Sequence, residues 1–332
     1  MTKPFIRIGV DLGATTVKTG AVDGVGKILF TQKIDSLAHK GPDAVIRQIS
    51  FTIRELLNEL KGKEIAGVGI GAPGVVADDG AVVKYPPNFS NWTEVDLATP
   101  IGKEFRLPVR VENDANVAAL AEAKFGAGRD HKDFLFVIWG TGVGGGIILD
   151  GEIFRGPYGG AGEIGHVTID FNGPECGCGN RGCVEAYVGQ RYLSRRTRDR
   201  LNEVQKQRPN TPSKILELVN GNFDAIEPYI ISMAAQQGDV IAHEILEEAG
   251  GLLGVGLASV LNVLDIRYVV IGGGISAAES FVFEAVERSV KSRVLRGSRS
   301  DIRVVRAQLG NAAGILGAAS LVNPESIGIK RS

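Results

Sequence analysis

The sequence predicts an α/β protein built as two related lobes with a cleft between them. Three observations carry this prediction. The chain has 332 residues, more than one compact core usually holds. Strand patterns alternate with helical ones in its first half, and its second half begins in the same way. The stretch GVDLGATTVKTGAVDG also lies over FVIWGTGVGGGIILDG at a constant shift of 127 residues. Val10 meets Val137, Gly13 meets Gly140, and Asp23-Gly24 meets Asp150-Gly151. Each copy reads as strand, glycine turn, strand and Asp-Gly turn.

The elements follow in order. FIRIGVDLG is a strand ending in an acid and a turn, and TVKTGAVDG and KILFTQKI continue it as a meander joined by DGVG. Over 43–60 the apolar residues Val45, Ile49, Ile53, Leu56, Leu57 and Leu60 keep a helical period. IAGVGIGAPG and LPVRVEND are buried strands bounded by Gly and Pro. NDANVAALAEAKFGAG is an alanine-rich helix that starts near Asp114 and stops at Gly126. After the repeated hairpin come helices over 190–203, 212–219, 226–237 and 239–264, with Pro228 near a start, where a helix tolerates it. IRYVVIGGGIS is a strand running into a glycine turn and a helix. NAAGILGAASLV is a small-residue helix expected to return to the first lobe, so that the chain crosses the hinge twice. The expected lobes are 1–117 plus 311–332, and 118–310 with the cysteine loop 166–183.

Composition narrows the function classes. The chain is 44% hydrophobic and 23% charged, with a net charge of -1 and no long run of one sign, so it offers no electrostatic footprint for nucleic acid or an acidic membrane. The N-terminus does not read as a signal peptide, because Asp11 interrupts it early. GGLLGVGLASVLNVLDIRYVV is broken by Asn262, Asp265 and Arg267, and reads as a buried helix and strand rather than a membrane span. Three cysteines cannot all pair with one another, which predicts a cytoplasmic chain with reduced thiols. Glycine, at 45 residues, is about twice its average share and clusters in turns, where a ligand can approach backbone closely.

Three of those turns suit phosphates. In DLGATTVK, Asp11 could hold a water of Mg²⁺, while Gly13, Thr15, Thr16 and Lys18 offer amides, hydroxyls and an ammonium. The glycine-lysine spacing is not that of a Walker A loop, and an ordinary hairpin bend is the alternative. WGTGVGGG places Thr141 and Gly142 in the equivalent turn of the second lobe. Gly272, Gly273 and Gly274 end a buried strand, a natural seat for a nucleoside or its phosphates. In VENDAN, Asn113 and Asp114 stand where a strand gives way to a helix; either could be an N-cap, or Asp114 a base for a substrate hydroxyl.

Cys176, Cys178 and Cys183 form C-x-C-x4-C, with His166 shortly before them. Three thiolates and an imidazole are a closed tetrahedral zinc set, hence structural rather than catalytic; the alternative is three incidental thiols. Glu163 and Glu185 flank this loop, either as solvated acids or as carboxylates held with His166 on one surface, where they could read a polyol.

DLGATTVK, GIGAPG, ENDANVAALAE, WGTGVGGGI, GGAGEIGHVTI, CGCGNRGCVEAY and VVIGGGIS occur in the order found in the ROK family, which the chain resembles over nearly its whole length. That family contains bacterial sugar kinases and sugar-responsive repressors. The resemblance implies the two-lobed actin-like, ribonuclease-H-like ATPase fold, with ATP and sugar in the cleft. It implies Asp114 as catalytic base and Gly74, Asn88, Asn113, Glu163, His166 and Glu185 as sugar contacts. It assigns Asp11, Gly13, Thr15, Thr16 and Lys18 to one side of Mg-ATP, Thr141 and Gly142 to the other, and Gly272, Gly273 and Gly274 to the adenosine. It makes His166, Cys176, Cys178 and Cys183 the zinc ligands. Trp139, where many members have Ser, Leu or Thr, should be a packing change. The activity implied is a glucokinase acting on the 6-hydroxyl in a homo-oligomer, dimer or tetramer. Kinases of N-acetylmannosamine, N-acetylglucosamine, fructose or allose are the alternatives, and polyphosphate is an alternative donor. A repressor is disfavoured, since only ten residues precede Asp11 and the charge is not basic.

Overall fold

The structure is a computed structural model, and it describes residues 5–77, 79–209, 211–274 and 278–322. Ile275 and Ser276 of the VVIGGGIS motif lie outside the described residues.

The first sheet has the order β3-β2-β1-β4-β8. Its strands are β1 (Ile6–Leu12), β2 (Thr16–Val22), β3 (Ile28–Asp35), β4 (Ile65–Ala72) and β8 (Val109–Asn113). The meander is antiparallel, with Asp11 opposite Lys18, and β4 and β8 run parallel to β1. The 18-residue helix α1 (Pro42–Glu59) buries Val45, Ile49, Ile53 and Leu56 on the stripe expected of them.

Two features escaped the sequence reading. Strands β5 (Val75–Val76), β6 (Val82–Lys84) and β7 (Glu94–Asp96) form a small antiparallel sheet. They are too short to show alternation; Trp92, edge-on to Phe89, anchors them through a 3.1 Å bond to the Val83 carbonyl. Helix α2 (Ala98–Phe105) holds Pro100 in its first turn, where no intrahelical donor is lost. Helix α3 (Asp114–Phe125) starts and stops as expected, with Gly126 as its C-cap.

The second sheet, of order β11-β10-β9-β12-β13, repeats the layout of the first. Its strands are β9 (Phe134–Trp139), β10 (Val143–Leu149), β11 (Glu152–Ile153), β12 (Tyr268–Gly272) and β13 (Arg303–Arg306). The helices are α4 (Glu185–Val188), α5 (Gln190–Gln207), α6 (Lys214–Leu218), α7 (Pro228–Gln236), α8 (Val240–Leu264), α9 (Ser280–Arg293) and α10 (Ala313–Ser320). Helix α5 runs four residues past its expected end, and α6 is shorter at both ends than expected. Asp239 caps α8, accepting the Ala242 amide at 3.0 Å. No helix among the described residues is long and apolar enough to cross a membrane.

Helix α10 lies on a floor of glycines. A Cβ at Gly9 would stand 2.0 Å from the Ile315 carbonyl oxygen, and one at Gly69 would stand 1.7 Å from that of Ala318. On the helix itself, a Cβ at Gly317 would meet the Val117 oxygen of α3 at 1.8 Å. Only the absence of side chains lets these backbones approach so closely.

Two compact units result. One contains 1–132, 146–162 and 308–332; the other contains 133–145 and 163–307. Helix α10 belongs to the first unit, and the division falls elsewhere than 117/118. All of α3 belongs to the first unit, because the Glu122 carboxylate accepts the amides of Ala127, Gln308 and Leu309, and Lys124 reaches the Ser320 carbonyl. The chain passes between units four times, not twice: the far half of β10 stays with the first unit, where Gly146 lies against Ala115 and Ala119.

Candidate active site

In the first unit, strand β1 delivers Asp11 at its end. The carboxylate pairs with Lys18 across the hairpin at 3.0 Å. The Gly13 amide closes the turn on the Thr16 carbonyl at 2.9 Å, and the Thr15 carbonyl accepts from the Ser36 amide at 3.0 Å. The start of α10 crowds the same acid, since a Cβ at Gly314 would stand 2.6 Å from the Asp11 carboxyl carbon. All five expected residues of this motif are thus tied within the bend or to the chain beside it.

The corner from β8 into α3 is more constrained. Asn113 is the N-cap, its Oδ1 accepting the amides of Ala115 at 2.9 Å and Asn116 at 3.2 Å. Its Nδ2 donates to the Gly74 carbonyl at 3.0 Å. Both lone pairs of Oδ1 are occupied, so Asn113 can offer a ligand one N–H and no acceptor. Asp114 is the first helical residue, and its Oδ1 accepts the Ala115 amide at 2.8 Å. A carboxylate there is favoured in its ionised form by the helix N-terminus. Gly74 has φ 93° and lies against the chain at Lys84 and Pro86, with a Cβ there 2.6 Å from the Lys84 oxygen. Asn88, two residues beyond Pro86, is exposed with φ 66° and has no described bond to these groups.

In the second unit, the ligand atoms of His166, Cys176, Cys178 and Cys183 lie within 4.8 Å of one another. Two contacts are 3.7 Å, Cys178 Sγ to Cys183 Sγ and Cys176 Sγ to His166 Nδ1. Sulfur and nitrogen atoms bound tetrahedrally to zinc stand about 3.5–3.8 Å apart, whereas a disulfide needs about 2.05 Å. The four groups therefore fit a zinc ion and not a disulfide. Without metal, burial pushes the Cys183 thiol up to about 12, and burial also raises Cys176. The Asn180 amide holds Cys178 down. Because Nδ1 faces the thiols, Nε2 of His166 is the ring nitrogen left for a second partner.

Glu185 joins this knuckle to the glycine turn before β10. One of its oxygens is 3.9 Å from Cys176 Sγ, and the other accepts the Val143 amide at 2.9 Å. A Cβ at Gly142 would stand 2.4 Å from that second oxygen, so the turn must carry glycine there for the acid to sit as it does. Thr141 is exposed beside Gln190, whose amide donates to the Gly140 and Thr141 carbonyls at 3.1 Å. Trp139 is 1% exposed and donates to the Val188 carbonyl at 2.8 Å, a packing residue as expected. Glu163 is exposed and precedes the short 3-10 turn that carries His166.

The Gly272-Gly273-Gly274 turn lies against the first one. Gly273, at φ 88°, approaches Trp139 so closely that a Cβ would meet its carbonyl oxygen at 2.4 Å. Between the two turns and α7 is a cavity of about 440 Å³, whose lining includes Gly140, Gln190, Ser232, Met233, Leu246 and Gly274. It is an apolar slot with a few polar groups, of a size for a planar heterocycle and its sugar. Glycines of both turns reach its rim, and α7 forms its wall. Nothing in the amphipathic pattern of α7 distinguishes residues that line a cavity from residues that face solvent.

A model of the ROK family matches residues 7–325 of the chain. The glucokinase of Streptomyces coelicolor is 38% identical over 317 residues, 95% of this chain and 97% of that one. The crystal structure of a ROK family glucokinase from Streptomyces griseus, in complex with glucose and AMPPNP, superposes with a TM-score of 0.79 at 36% identity, covering 96% of this chain and 99% of that one. A xylose repressor of Bacillus subtilis is 30% identical, over 95% of this chain and 76% of its own length.

Proposed function

The chain belongs to the ROK family, and from that premise we propose that it is an ATP-dependent glucokinase, moving the γ-phosphoryl group of Mg-ATP to the 6-hydroxyl of glucose. The observation that carries the reading is the β8–α3 corner: an acid at the first helical residue beside an asparagine with one N–H left to give. The likeness to kinases, at 38% identity, exceeds that to the repressor, at 30%. The matching strand orders of the two sheets support an actin-like, ribonuclease-H-like architecture.

In this reading the adenosine takes the cavity lined by Gly140 and Gly274, at the end of the turn that Gly272 and Gly273 begin. Gly13, Thr15, Thr16, Lys18, Thr141 and Gly142 face the phosphates. Asp11 would hold a water of Mg²⁺, and the ion would supply charge neutralisation for the phosphates. Asp114 accepts the proton of the 6-hydroxyl; because the transition state is loose, that proton leaves late and alignment matters more than basicity. Asn113 donates to a sugar oxygen, Glu163 and Glu185 accept from sugar hydroxyls, and His166 donates through Nε2. Gly74 and Asn88 complete the sugar contacts. His166, Cys176, Cys178 and Cys183 would hold zinc with four protein ligands, leaving no position for water, so the metal would shape the loop. Three free thiols suit a cytoplasmic location.

The test is ADP release with Mg-ATP and a panel of glucose, N-acetylmannosamine, N-acetylglucosamine, mannose and fructose. Glucose should give the highest kcat/KM. A higher value for N-acetylmannosamine would replace the substrate but leave the kinase, and no ADP release with any sugar would overturn both.

A further inference from the structure

Glu112 stands immediately before Asn113 and Asp114, and the chemistry above gives it no task. It is only 4% exposed. A buried carboxylate is costly unless donors match it. Here both oxygens are matched. Oε1 accepts the Asn113 amide at 2.9 Å and Asn116 Nδ2 at 3.0 Å, and Oε2 pairs with Arg155 Nε. Asn116, 2% exposed, turns its Nδ2 to this carboxylate although its Oδ1 is then buried without a partner. Arg155, just past β11, also reaches the Ile153 carbonyl at 3.4 Å. One carboxylate thus ties together the end of β8, the first turn of α3 and the chain beyond β11. Asp114 lies between two of the tied residues, Asn113 and Asn116.

We propose that Glu112 is a positioning residue for phosphoryl transfer, fixing the Asn113–Asp114 corner, and that Arg155 acts through it by holding its carboxylate in place. This rests on the reading of Asp114 as the base. Each of these partners of Glu112 is a donor, and a carboxylate accepts through both of its oxygens. Glutamine has nearly the same shape but turns an NH2 toward one of those donors. The corner then shifts, and a misplacement of about 1 Å can cost on the order of 100-fold in rate. The Asn113 side chain keeps its own ties to Gly74 and α3, so sugar binding should suffer much less than turnover.

The test compares Glu112→Gln, Arg155→Met, the double variant and Asp114→Asn by steady-state kinetics, glucose titration and thermal melting. Glu112→Gln should lower kcat by about 10- to 100-fold. Its glucose Kd should stay within about threefold and its ATP KM within about twofold, since the transferred group and not the bound ground state feels the shift. Arg155→Met should lower kcat in the same direction, and the double variant should be no worse than Glu112→Gln, because one residue acts through the other. Wild-type kcat in Glu112→Gln, losses that multiply in the double variant, or a kcat loss matched by equal loss of glucose binding would each overturn the proposal. If Glu112→Gln does not fold, Arg155→Met decides alone by the same kcat-against-Kd split. Turnover retained by Asp114→Asn would instead sink the base; an inactive Asp114→Asn with a fully active Glu112→Gln would sink only the positioning role.

Discussion

Two side chains carry opposite expectations at the residue scale. Asp114→Asn keeps an oxygen able to accept the Ala115 amide, so the helix start should survive and glucose should still bind. Only the proton acceptor is lost, and kcat should fall by about 10²- to 10⁴-fold. Steady-state turnover beside a glucose titration checks this, and a variant with more than a tenth of wild-type kcat would remove Asp114 from the role. Gly142→Ala acts the other way. Its methyl would meet the Glu185 carboxylate at 2.4 Å, so the acid must move and release the Val143 amide. Glucose KM should rise about tenfold or more, as for a lost charged hydrogen bond; an unchanged KM would take Glu185 away from the sugar.

At the element scale the zinc knuckle and helix α10 are each held by something outside regular secondary structure. For the knuckle that is the zinc ion proposed above. Because burial raises Cys183 and Cys176, zinc must expel protons to bind, and its affinity should fall as pH falls. The metal-free fold has the opposite weakness. A thiol raised in the folded state contributes stability that is whole below the ordinary thiol value and lost as pH rises toward about 12. Chelated protein should therefore melt progressively lower from pH 9 upward, while zinc-loaded protein should not; identical melting curves would mean the cluster does not hold zinc. For α10 the support is backbone contact. Gly317→Ala would drive a methyl into the Val117 carbonyl, 1.8 Å away. Overpacking of this kind costs about 1–3 kcal/mol, and rigid backbone puts it at the upper end. Urea unfolding should show a lower midpoint at unchanged slope, and no shift would mean that α10 is loosely docked.

At the scale of the whole molecule, the candidate site residues divide between the two compact units. Asp11, Asn113 and Asp114 belong to one; the cysteine-histidine cluster, Glu185 and the cavity beside Gly140 and Gly274 belong to the other. Added AMPPNP should slow hydrogen exchange in α7 and at the glycine turns of the second unit. Protection absent from α7 would move the adenosine elsewhere. We also propose a homo-oligomer, for which light scattering should return two or four chains per particle; single chains would overturn it.

What could be read in the sequence was local. Strand, glycine turn and strand follow one another within 20 residues in each copy of the repeat, and the four groups of the cysteine-histidine cluster fall within 18 residues, so their capacity for metal is visible in their spacing. The ENDAN corner was legible for the same reason: the N-cap Asn113 and the acid Asp114 are neighbours. Tertiary structure decided what joins distant positions. Arg155 reaches Glu112 from 43 residues away, Glu185 reaches the Val143 amide from 42, and Glu122 holds Gln308 from 186. Such pairs leave no periodicity, because the chain between them is free to be any fold. The break between units escaped for a related reason. It depends on which elements α3 and β10 bury their surfaces against, and an alanine-rich helix or a glycine-rich strand looks the same in sequence whichever core receives it.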